Sequence, residues 1–153
     1  MNSGWRKPVG WLYRVSFEDF FAYAACICRS QRGGLLVKWF EKNKDICLDS
    51  ALLTPEFMLT YYNIRIDISE GFASEIGKIP FFSPYHQKLR MMGPINASTG
   101  SRNWYYFDGE NEFRIDEHNE KLRYMSTFRA VNWIAMKNYY EDCLTPEREF
   151  DGL

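Results

Sequence analysis

The sequence is poor in the residues from which most active sites are assembled. Its 153 residues include two histidines, His86 and His118, and four cysteines, Cys26, Cys28, Cys47 and Cys143. None of these spacings matches a zinc clamp, so we expect no metal site and no cofactor. No apolar run approaches the roughly 18 residues of a membrane span. The opening residues MNSGWRKPVG lack the apolar stretch of a secretory leader. The expectation is a cytoplasmic protein with reduced, mostly buried thiols and no membrane contact. A net charge of −1 gives no global attraction to nucleic acid or to an anionic membrane.

Aromatic residues are abundant. Twelve Phe, ten Tyr and five Trp make up 18% of the chain. Such rings fill a core quickly, and the polar tips of Tyr and Trp then require partners. They are also enriched on recognition surfaces. Charge is unevenly spread: residues 1–102 carry +4 and residues 103–153 carry −5. The second part is therefore suited to a basic partner.

The pattern predicts an α+β fold: a small, mostly antiparallel sheet, including a C-terminal β-meander, packed against helices. One domain should span 1–153, with 1–9 and 146–153 as frayed ends. Trp11–Val15 reads as a strand. Ser16 with Asp19 resembles a capping box and predicts a helix to about Arg29, which would set Cys26 and Cys28 about 200° apart. Leu35–Phe40 fits a buried strand or a short helix, and the absence of a turn signal after it favours helix. Thr54-Pro55-Glu56 predicts a helix start, running to Tyr62-Asn63. The alternation Ile64-Arg65-Ile66-Asp67-Ile68 predicts a half-buried strand. Ser69 should then cap a short helix at 70–76.

Residues 77–101 are rich in Gly and Pro and read as irregular, with a turn of helix at 85–92. Such a stretch can cover a cleft. The final segment is the most regular. Trp104–Phe107, Glu112–Asp116 and Leu122–Met125 read as strands, the first two joined through Asp108-Gly109. A helix should start at Ser126 or Thr127 and run to Leu144, burying Phe128, Val131, Ile134, Ala135, Asn138 and Tyr139.

Three surfaces could carry function. The acids Asp108, Glu110, Glu112 and Glu117, beside Trp104, Tyr105 and Tyr106, would form an acidic, aromatic face for a basic protein partner. This is the favoured reading: a non-enzymatic protein-binding domain, similar in size and style to small inhibitors such as immunity proteins and phage-encoded antagonists. The second surface is Arg29, Arg32, Lys38, Trp39, Lys42 and Lys44, where cations interleave with rings as in a nucleic-acid binder.

The third is enzymatic. Arg14, a Ser-Thr pair (Ser98-Thr99 or Ser126-Thr127) and Glu147-x-Glu149 occur in an order that resembles mono-ADP-ribosyltransferases. The resemblance implies a small transferase with a cleft near 77–101, where His86 is the better acid–base candidate of the two histidines. The chain departs from that pattern because neither Ser-Thr continues to Ser, and six residues follow Glu147. Asp67 with Glu70, and Asp116 with Glu117, are carboxylate pairs lacking a third member to give them a catalytic role.

Overall fold

The first two strands, β1 (Trp11–Phe17) and β2 (Phe20–Arg29), form a hairpin. It lies where a helix is expected from Ser16 onward. Glu18 adopts a positive φ of 63° and lets the chain reverse between paired Phe17 and Phe20. The usual Asn-Gly or Asp-Gly signal for such a turn is missing. β2 is covered on both faces, so its sequence FFAYAACICR is an apolar run without alternation. A doubly buried strand reads this way and mimics helical spacing.

The computed structural model describes residues 8–29, 35–80, 82, 89–95, 98–100, 102–107, 112–115 and 126–142. Pro8, expected in a frayed end, is buried, and its carbonyl accepts a hydrogen bond from the Trp11 amide at 3.1 Å. The remaining strands are β3 (Leu35–Trp39), β4 (Met58–Tyr61), β5 (Ala73–Lys78), β6 (Leu89–Ile95), β7 (Arg102–Phe107), β8 (Glu112–Ile115) and β9 (Ser126–Ala130). The helices are α1 (Ile64–Glu70) and α2 (Trp133–Asp142).

Among the described residues, nine strands join one sheet in the order β5-β1-β2-β3-β4-β9-β6-β7-β8. Among them, only the two pairings of β9 are parallel. The α+β class and the mostly antiparallel sheet are as expected. The meander is present as β6-β7-β8, one strand earlier than anticipated. Leu122–Met125 and the Asp108-Gly109 turn lie outside the described residues. β9 leaves the meander and inserts between β4 and β6, pairing its start with Leu89–Met91 and its end with Thr60–Tyr61.

Several local expectations are corrected. Leu35–Phe40 contributes a strand rather than a helix, because both faces of β3 are buried. Thr54 does not open a helix; its hydroxyl donates to the Ser50 carbonyl at 2.8 Å, closing a 3₁₀ turn at Leu48–Ser50, and β4 follows. Ile64–Ile68 is helical rather than a strand, and the helix stops where Gly71 takes a left-handed φ of 84°. Residues 73–76, expected to end a short helix, and 77–78, expected to be irregular, form the edge strand β5 (Ala73–Lys78). Residues 89–95, expected as helix or irregular chain, form β6.

The last helix begins at Trp133, because Ser126–Ala130 is needed as a strand. Phe128 is therefore in β9, and α2 buries Met136 and Tyr140, leaving Ile134 64% exposed.

The first five strands in the sheet order carry two cores, one per face. On one face Leu12, Tyr23, Ile27, Leu36, Phe40 and Leu59 pack under Ile46, Ala51 and Leu52 of the 40–57 connection. On the other, Tyr13, Val15, Phe17, Val37, Trp39 and Met58 pack under α2 through Met136 and Tyr140. Rings dominate the second core: Tyr140 meets Phe17, Phe20, Trp39 and Phe57 at centroid distances of 4.6–6.2 Å. The Tyr140 hydroxyl donates to the Phe40 carbonyl. Cys26 and Cys28 are both buried; Cys26 belongs to the second core and Cys28 to the first. Burial pushes the Cys26 thiol up to about 12, so it stays protonated. Cys47 is exposed.

Candidate binding cleft

The second face is not fully closed. Where β4 ends, the chain turns into α1; where β9 ends, it turns into α2. The two turns are tied by the Val131 amide donating to the Tyr61 carbonyl at 3.0 Å. Asn132 caps α2, its Oδ1 accepting from the Ala135 amide at 2.9 Å. Beyond Gly71, Phe72 is held on both sides of its backbone. Its amide donates to the Asp67 carbonyl at 2.8 Å, and its carbonyl accepts from the Ser16 amide at 2.7 Å. Trp133 stacks on Phe17 at 5.6 Å and on Phe72 at 4.9 Å, while its indole N–H donates to the Ser16 carbonyl at 3.0 Å. These contacts set α1 and the start of α2 apart across a cleft of about 350 Å³.

The cleft combines apolar side chains with two acids, of which Asp67 is buried and Glu70 exposed. Ile66, Phe72 and Ile134 line it and remain 51%, 36% and 64% exposed. Asp67 and Glu70 also line it; among the described residues no lysine or arginine does. Asp67 is only 3% exposed. The Tyr62 hydroxyl donates to its Oδ2, and the Tyr62 ring is fixed edge-on against Trp39 at 4.8 Å. Burial raises the Asp67 carboxyl from its ordinary 3.8 to about 6. Glu70 pushes in the same direction, and the Tyr62 hydrogen bond opposes them. Burial and the same hydrogen bond hold the Tyr62 phenol well above its ordinary value.

A second, more open hollow of about 560 Å³ lies beside Val9, Ile79 and Phe82, with Lys78 its one charged lining group among the described residues.

The structure distributes the sequence-derived candidates widely. Trp104 is 1% exposed, so its indole is core rather than contact surface. Tyr105 is half-buried and packs against the first core. Tyr106 and Glu112 lie on neighbouring strands β7 and β8. Asp108, Glu110 and Glu117 are outside the described residues.

The basic cluster is split by the alternation of β3. Lys38 points into the first core, where its Nζ donates to the carbonyls of Ala51 and Leu52 at 3.1 and 3.2 Å. Trp39 points into the second and donates to Thr60 Oγ1 at 2.8 Å. Neither can stack on a base or meet a phosphate. Arg29, Lys42 and Lys44 are exposed, and Arg32 is outside the described residues.

Of the transferase-like set, the Arg14 guanidinium lies over the Phe21 ring at 4.0 Å. Ser98 and Thr99 are in an exposed turn, and Ser126 and Thr127 begin β9. His86, Glu147 and Glu149 are outside the described residues. Among the described residues no group of three His, Cys, Asp or Glu is placed to hold a metal ion, and no helix is long and apolar enough to cross a membrane.

The cleft residues were hidden for an identifiable reason. In a strand the alternation Ile64–Ile68 would place Ile66 and Asp67 on opposite faces. In α1 they turn toward the same cleft as Glu70, so the pair Asp67 and Glu70 is brought together after all. The exposed isoleucines of an alternating segment that folds as a helix were the available signal. Neither a protein-family model, nor a curated protein, nor a solved structure matches the chain.

Proposed function

We propose that this chain is a protein-binding domain, and that the α1–α2 face is where it docks a partner with a basic and apolar surface. One observation carries the reading. Ile66, Phe72 and Ile134 stand exposed around a single cleft, and Ile68 and Ile76, on α1 and β5, are each 40% exposed. Grouped large apolar side chains of this kind mark interaction surfaces in soluble domains. The carboxylates of the cleft, and the −5 carried by residues 103–153, favour a basic partner. Steering by such charge is how a small inhibitor of the immunity-protein kind would find its target. The reading moves the contact surface from the meander to the helices, in keeping with the burial of Trp104.

The test compares surface variants. Wild-type chain immobilised in extract from the cells that make it should retain one protein in near-equal amount. Ile134→Asp should lose that protein at least tenfold, while Leu53→Asp, at a residue 87% exposed and away from the cleft, should keep it. Equal retention by Ile134→Asp and wild type removes the α1–α2 face from consideration. A dimer of the chain itself, seen by sedimentation and abolished by Ile134→Asp, would assign the face to a second copy instead.

A further inference from the structure

Asp67 has an unusual position for a carboxylate. It is only 3% exposed, yet the influences that shift its titration are burial, Tyr62 and Glu70, with no cation among them from the described residues. Buried carboxylates are ordinarily paired with a cation or fully hydrogen-bonded, because desolvating the charge is costly. Here Tyr62 serves Oδ2 and is the one hydrogen-bond donor to the Asp67 side chain among the described residues. The carboxylate lines a cleft that also contains Glu70. A closed structural carboxylate would not sit at such an opening beside a second acid.

The walls specify the rest of the ligand. Ile66, Phe72 and Ile134 present apolar surface in the same cleft as the acids. Lysine and arginine have this division, with a long aliphatic stem that packs on apolar surface and a cationic head. A volume of about 350 Å³ lies at the small end of the roughly 300–1,000 Å³ range of ligand pockets. That suits one or two side chains better than a whole helix.

We propose that the cleft is a socket for one lysine or arginine side chain of the partner protein, its stem against Ile66, Phe72 and Ile134 and its head against Asp67 and Glu70. The inference rests on the reading of the α1–α2 face as the docking surface and names its anchor. Insertion would supply a cation that the described residues do not give Asp67, and would remove Ile134 from water in one event. Desolvated anchor residues ringed by near-neutral apolar contacts carry much of the binding energy of many interfaces.

The experiment titrates the full-length, isotope-labelled chain with three capped pentapeptides, Ala-Leu-Xaa-Leu-Ala, where Xaa is lysine, norleucine or glutamate. The readouts are the methyl resonances of Ile66 and Ile134 and the indole N–H of Trp133. The lysine peptide should move these signals with a Kd at least tenfold below that of norleucine, and the glutamate peptide should leave them in place. Asp67→Asn should erase the lysine advantage. Ile66→Arg, a change at an exposed residue that places a cation in the socket in cis, should abolish lysine binding in a chain that stays folded.

The proposal is overturned if norleucine binds as tightly as lysine. It is equally overturned if Ile66→Arg leaves lysine binding unchanged, if a folded Asp67→Asn keeps the preference, or if the shifts map elsewhere. Loss of partner by Ile134→Asp together with no lysine preference would leave the docking face standing and remove the socket alone.

Discussion

Among the described residues, the two faces of the sheet each bury one charged side chain, and they treat it in opposite ways. On the first face Lys38 enters the core and is met by the chain itself. The 40–57 connection folds over it, and the carbonyls of Ala51 and Leu52 take its Nζ. Burial lowers its pKa, and Glu56 resists that shift. On the second face Asp67 is met, among the described residues, by one hydroxyl and borders a cleft. A charge whose partners come from its own chain holds the fold together. A charge beside an opening is the premise of the proposed socket. Two buried residues of similar burial, 6% and 3% exposed, thus have different meanings because of what surrounds them.

The comparison breaks most visibly at Lys38. Lys38→Ala should remove the donor from two carbonyls and leave a void beneath Ala51 and Leu52, costing about 2–4 kcal/mol in urea unfolding. Lys38→Met fills the same space with an apolar chain and should cost clearly less, since removing a buried charge also removes its desolvation penalty. Neither variant should alter partner retention by the opposite face. If Lys38→Ala weakens the partner as much as it weakens the fold, the two faces are not separate.

Asp67 gives an effect of similar size with an opposite pH signature. Its folded-state value of about 6 lies above the ordinary 3.8, so the folded chain holds this proton more tightly than the unfolded chain. The associated stability is fully present below about pH 4 and is lost as pH rises through about 6. Over that window the loss is about 2–3 kcal/mol, from a shift of about two units. Asp67→Asn has no such loss. Relative to wild type it should gain this amount between pH 4 and pH 7, measured as the change in unfolding free energy at each pH. Parallel pH profiles for the two proteins would show that Asp67 is compensated by a cation in the fold, and the contrast with Lys38 would disappear.

These contrasts bear on what a sequence can disclose. The antiparallel sheet was legible in Trp11–Val15, in Trp104–Phe107 and in Glu112–Ile115, where alternation or β-rich composition matches the observed strands. The hairpin after Ser16 was not, because β2 is buried on both faces and a doubly buried strand carries no period of two. Glu18 at the turn offers no glycine or asparagine to betray it. The segment Ile64–Ile68 misled in the opposite sense. Its period of two is real, yet the chain folds it as a helix ended by Gly71, which puts Ile66 and Ile68 in contact with water. That conflict between pattern and fold is the clearest trace of the cleft in the sequence. Lys38 and Trp39 looked like a cation beside a stacking ring; only the pairing of β3 with both β2 and β4 sends them to opposite cores. The second face could not be assembled from sequence because Phe17, Phe72 and Trp133 meet through contacts between segments more than fifty residues apart.

The smallest expected effect tests how firmly the cleft is held open. Asn132 stands at the start of α2 and does two things there. Its Oδ1 accepts from the Ala135 amide at 2.9 Å, and its carbonyl accepts from the Met136 amide at 2.9 Å. The second contact survives substitution, because it belongs to the backbone. The first does not, so Asn132→Ala should cost about 1 kcal/mol of stability, the usual loss of a helix cap. The cap lies next to Trp133 and Ile134, which form one wall of the cleft. Fraying of the first helical turn should therefore reach that wall before it reaches Met136 and Tyr140 in the core. Hydrogen exchange would separate the two regions: the amide of Ala135 should exchange several-fold faster in Asn132→Ala, with those of Met136, Tyr140 and β2 altered only by the global change. A uniform increase across α2 and the sheet would mean that the wall and the core open as one unit, and the cleft would then be as rigid as the sealed face around Lys38.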